Sequence, residues 1–101
     1  MIELDLPFPP STNDYYRSRV CSILAASGVR PFDGPLAVQI EVYPPDNQRR
    51  DLDNTMKALL DALQHGGAYR DDSQIVCLVI EKRSPLLGGK MVVHIRQTER
   101  R

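Results

Sequence analysis

The stretch Arg49-Arg50-Asp51-Leu52-Asp53-Asn54-Thr55-Met56-Lys57 gathers charge where a helical pattern begins. Asp51 and Asp53 flank Leu52. In an extended segment residues two apart share a face, so the two carboxylates would look the same way and Leu52 would point into the core. Lys57 follows Asp53 by four residues, one helical turn, and returns to the same neighbourhood. A second acidic group, Arg70-Asp71-Asp72, follows the helix. Carboxylates beside cations suit a divalent cation acting on a phosphate. Mg2+ takes oxygen ligands, keeps several waters and needs few carboxylates. Asp51, Asp53 and Asp72 could supply them. Each group also has a plainer reading: an Asp before a helix caps it, and an Asp pair before a strand makes a turn. Spacing alone leaves both readings open.

The elements that must position these residues can be read from periodicity. Ile2 to Leu6 alternates apolar and acidic, a short strand ended by Pro7, Pro9 and Pro10. Arg17 to Ala26 fits a short helix stopped by Gly28. Leu36, Val38, Ile40 and Val42 alternate with Ala37, Gln39, Glu41 and Tyr43, the pattern of a half-buried strand. Met56, Leu59, Leu60 and Leu63 recur at helical spacing, with Asp53 as the expected N-cap and Gly66-Gly67 as the stop. Ile75 to Ile80 is an almost continuous apolar run and reads as a central strand. Pro85 and Gly88-Gly89 mark a hairpin connection to a returning strand, Met91 to Arg96. The expected order is β-α-β-α-β-β in a single small domain over residues 1–101, an α+β (α/β) fold with a mixed sheet and helices packed on it. The helix between the second and third strands makes a βαβ-like crossover, so those strands should be neighbours. That crossover sets the turn holding Asp72 at the opposite end of the sheet from Asp51, unless the pairing is antiparallel or the 44–52 loop folds back.

The 101 residues are 42% hydrophobic and 26% charged, the make-up of one globular domain. Thirteen basic and thirteen acidic residues cancel, which argues against a generic nucleic-acid binder. The distribution is less even: six basic residues and one acidic residue lie between Lys82 and Arg101. Cys21 and Cys77 have no metal-ligand spacing, and Cys77 reads as a core thiol. No secretory signal and no apolar run of membrane length is visible, so a cytoplasmic protein with no membrane partner is expected. His65 reads as a helix C-terminal cation and His94 as sheet surface. No glycine-rich phosphate loop is present.

The chain resembles the RusA family of Holliday-junction resolvases in three blocks that occur in the family's order. Pro9-Pro10-Ser11-Thr12-Asn13-Asp14-Tyr15-Tyr16-Arg17 resembles the N-terminal signature, through Ser11, Asn13 and Tyr16. Arg50-Asp51-Leu52-Asp53-Asn54 with Lys57, Asp61 and Leu63 resembles the central acidic block. Arg70-Asp71-Asp72-Ser73-Gln74-Ile75-Val76 resembles the last. The resemblance implies a metal-dependent endodeoxyribonuclease that cuts four-way DNA junctions in recombination and repair, as a homodimer, with Mg2+ or Mn2+. It implies Asp51, Asp53, Asp72 and Lys57 as catalytic residues, with Asp71 beside the metal. Arg49, Arg50, Lys57 and Arg17 are the expected DNA contacts. Genes of this family are common in phages and prophages. Two rival readings are a RusA-like module that binds DNA or protein without cutting, and a nuclease for flaps and forks. One departure from the family pattern stands out. The stretch Ser18–Pro35 is abbreviated, where other members carry a basic segment and a fuller helix.

Overall fold

A computed structural model describes residues 1–10, 15–48 and 50–99. The elements are β1 (Ile2–Leu6), α1 (Tyr16–Ala26), β2 (Leu36–Tyr43), α2 (Leu52–His65), a single 3-10 turn (Asp72–Gln74), β3 (Ile75–Lys82) and β4 (Lys90–Gln97). This is the expected order, and the α+β class with a mixed sheet holds. The chain divides into two compact units. A sheet unit holds Met1–Phe8, Gly34–Gln48 and Ser73–Arg101; a helical unit holds Pro9–Asp33 and Arg49–Asp72.

In the sheet unit the strands lie in the order β1-β4-β2-β3. β4 runs antiparallel to both β1 and β2, whereas β2 and β3 are parallel. A parallel neighbour needs a long connection, and here α2 lies within it. Alternation fixes which face is apolar. Leu4, Val93 and Ile40 fall in one cross-strand row, and Leu6, Met91 and Val42 in the next. All six are buried. The opposite face carries Glu3, His94 and Gln39 in one row and Asp5 and Glu41 in another. On that face His94 lies between Glu3 and Glu41, at 3.5 and 3.6 Å. Arg83 donates to Glu41 at 2.8 Å and holds that carboxyl below the usual carboxylate range.

Two expectations for β3 are corrected. It is an edge strand, because the central places belong to β4 and β2. Its apolar run is therefore only partly covered, and Val76, Leu78 and Val79 are exposed. Cys77 is half-buried rather than a core thiol. The strand also carries an irregularity: Leu36 pairs with Ile75 but Ala37 with Cys77, which leaves Val76 as an extra residue in a bulge.

In the helical unit α1 packs against α2. Tyr16, Val20 and Leu24, each four residues apart, bury one face of α1; Met56, Leu59, Ala62 and Leu63 bury one face of α2. Both helices stop in the same way. Beyond α2 the amide of Gly67 donates to Gln64 O at 3.1 Å and that of Ala68 to Leu63 O at 3.0 Å. Gly67 sits at φ 86, which a side chain would resist. Gly66 permits close approach of the helices, since a Cβ there would lie 2.5 Å from Leu24 Cδ1. Among the described residues no helix is long and apolar enough to cross a membrane.

Candidate functional site

The acidic residues singled out in the sequence lie in the helical unit, on or beside α2. Asp51 stands just before the helix with φ −77 and ψ 108, and its Oδ1 accepts from the Asp53 amide at 3.0 Å. Asp51 is therefore the N-cap, two residues earlier than expected. The cause is local: the helix begins at Leu52, which makes Asp53 the second helical residue, and that amide has no partner inside the helix. Leu52 is correspondingly 41% exposed rather than turned into the core, because it shares the first turn with the acids instead of an extended strand. Replacing Asp51 by Ala is expected to cost about 0.5–2 kcal/mol of folding stability through the cap alone. Urea denaturation checks this, and an unchanged midpoint would mean the cap is not formed in solution.

Asp53 sits in the first turn, where a negative charge is favoured by the helix dipole. Asp53, Lys57, Asp61 and His65 recur every four residues and are exposed, a charged stripe opposite the apolar face. On this stripe Asp61 receives Arg17 of α1, whose Nη2 and Nε donate to Oδ2 at 2.6 and 3.1 Å. Arg17, expected to touch DNA, is thus in an ion pair, with half its side chain still exposed.

Asp72 lies at the other end of α2. Its amide donates to Gln64 Oε1 at 3.0 Å. Its carboxylate lies beside the hydroxyl of Tyr69, which itself donates to Leu60 O at 2.9 Å. Burial raises the Tyr69 hydroxyl pKa far above the usual tyrosine range, and the nearby Asp72 and Asp61 carboxylates add to this. At 1.5 Å rise per residue, Leu60 and Gln64 lie about 13 and 20 Å along the axis from Asp51. Asp51 and Asp53 are brought together; Asp72, with Asp71 next to it, is not brought to them. Among the described residues no three potential metal ligands converge. Asp71 and Arg50 are exposed. Arg49, Ser11 and Asn13 lie outside the described residues, whereas Tyr16 is a fully buried part of the α1 face. Gln64 and Tyr69 were not singled out in the sequence, where a glutamine inside an apolar helix pattern carries no signal.

A family model described as endodeoxyribonuclease RusA matches residues 6–96 of this chain. The chain belongs to the RusA endodeoxyribonuclease family. Among its RusA relatives, the crossover junction endodeoxyribonuclease RusA of Escherichia coli (strain K12) is 34% identical, over 93% of this chain and 92% of its own length. The same identity and coverage hold for the protein of that name from Shigella sonnei (strain Ss046) and for the one from Enterobacteria phage 82. The RusA alignments run over 111 positions, more than this chain contains, so these relatives carry segments absent here.

By donor chemistry the acid pair fits a hard cation. Asp51 and Asp53 present exposed carboxylate oxygens within one helical turn, and Mg2+ is commonly held by one or two carboxylates together with water and substrate phosphate.

Proposed function

We propose that the chain is a Mg2+-dependent endodeoxyribonuclease, with Mn2+ as a substitute, that hydrolyses phosphodiesters at four-way DNA junctions. One observation carries this reading: the family match spans residues 6–96, and within it the acid pair with Lys57 stands exposed at the start of α2. Asp51 and Asp53 would hold the ion. When bound, it supplies Lewis-acid charge and makes hydroxide available near neutral pH. Lys57, one turn further on, offsets the charge that builds on the scissile phosphate. Arg49 and Arg50, which directly precede Asp51 in the sequence, would contact flanking phosphates. Arg17 spends Nε and Nη2 on Asp61, which leaves other N–H groups for a phosphate. Such contacts position the DNA and weaken as salt rises.

The length of α2 supports a homodimeric site. Two chains related by a two-fold axis through the middle of α2 would set the N-terminus of one helix beside the C-terminal end of the other. Asp51 and Asp53 of one chain would then meet Asp72 and Asp71 of the second. Exposed Leu52, between the two acids in sequence, offers apolar surface for the association. The protein would act in the cytoplasm, where its DNA is found.

The test is cleavage of labelled four-way, three-way, flap and duplex DNA with Mg2+. Wild type is expected to cut the four-way junction preferentially. Asp53→Asn should lower that rate by more than about 100-fold, beyond what loss of an outer-shell contact costs. Absence of cleavage of any substrate by wild type would refute the nuclease reading; equal cleavage of flaps would refute junction specificity.

A further inference from the structure

We propose that Gln64 and Tyr69 are positioning residues that fix Asp72 for metal binding. The inference rests on Asp72 being a metal ligand, as proposed above, and adds what holds it in place. Asp72 begins a one-turn 3-10 helix between α2 and β3, a segment too short to set a side chain by itself. Two anchors compensate. Gln64 Oε1 accepts from the Asp72 amide at 3.0 Å and fixes the main chain. The Tyr69 hydroxyl lies against the Asp72 carboxylate. Tyr69 is itself immobile: only 1% of it is exposed, and its hydroxyl donates to Leu60 O at 2.9 Å. Phe32 bridges to Tyr69 along the chain, and its amide donates to Ala68 O at 3.0 Å.

Both anchors lead back to α2, through the Gln64 side chain and the Leu60 carbonyl. α2 also begins at the Asp51 cap. One rigid helix therefore carries the acid pair at its start and holds Asp72 near its end. Outer contacts of this kind orient a ligand and tune its affinity for metal.

Mn2+ binding measured by electron paramagnetic resonance, without DNA, tests the inference on the whole protein. Gln64→Ala is expected to weaken Mn2+ binding about tenfold or more. Gln64→Glu, which keeps an acceptor oxygen, should bind within about threefold of wild type. Tyr69→Phe keeps the buried ring and removes only the hydroxyl. It should weaken Mn2+ binding and raise the Mn2+ concentration for half-maximal cleavage, leaving junction affinity in chelator unchanged. In an Asp72→Asn background neither substitution should have a further effect. Wild-type Mn2+ affinity in both Gln64→Ala and Tyr69→Phe would overturn the positioning role while leaving Asp72 a ligand. Wild-type affinity in Asp72→Asn would instead overturn the assignment of Asp72, and the positioning role with it.

Discussion

Mixing Asp53→Asn chains with Asp72→Asn chains is expected to restore junction cleavage that neither variant supports alone. The expectation follows from the placement of the acids. Asp51 caps the start of α2, while Asp72 is tied to Gln64 near its end. Leu60 and Gln64, the α2 residues on which Asp72 is anchored, lie about 13 and 20 Å along the helix axis from Asp51. In a two-fold dimer each site would draw its acid pair from one chain and Asp72 from the other. A mixed dimer then concentrates both substitutions in one site and leaves the second intact. With random exchange, half the dimers are mixed and each carries one good site, so the nicking rate should reach about a quarter of wild type. The products should be single nicks rather than paired cuts. The chains are denatured together and refolded to permit exchange. A mixture no more active than either variant would show that each site draws its acids from one chain.

Leu59→Ala should have the largest effect on stability. Leu59 is completely buried at the middle of the α2 apolar face. Truncation removes buried methyl groups and leaves a cavity, which together cost about 2–5 kcal/mol. A domain of this size has a total stability of roughly 5–15 kcal/mol, so much of it is at stake. The melting temperature should fall by about 10 °C or more. A fall of less than about 3 °C would mean that α1 closes over the gap or that the α1–α2 contact contributes little. Cleavage measured well below the melting point should persist, since Leu59 lies on the face opposite the charged stripe. That contrast separates a packing loss from the catalytic loss expected for Asp53→Asn.

The two elements with strict periodicity were legible in the sequence. β2 alternates because one of its faces is buried, and α2 repeats at helical spacing because one stripe packs on α1. β3 lies at the edge rather than the centre of the sheet for a physical reason. A continuous apolar run shows that both faces avoid charge, not that both are covered, and an edge strand with exposed Val76, Leu78 and Val79 looks like a central one. The cap falls two residues before the expected Asp53 because Asp51 and Asp53 are equally good capping types, and only the start of the helix decides between them. The acids proposed for the site can be named from their motif blocks, but their separation cannot. It depends on α2 staying helical without interruption to His65, and on Gln64 catching an amide eight residues further on. A glutamine and a later tyrosine at those spacings form no periodic or motif pattern.

The 14 residues of α2 act as a ruler. If two antiparallel copies of this helix build the dimer, the reaction centres fall at its two ends, about 20 Å apart. That is close to the width of a DNA duplex, so the spacing of the two cuts would follow the length of one helix. The segments that the relatives carry and this chain lacks leave that gauge unchanged, because α2 runs unbroken from Leu52 to His65.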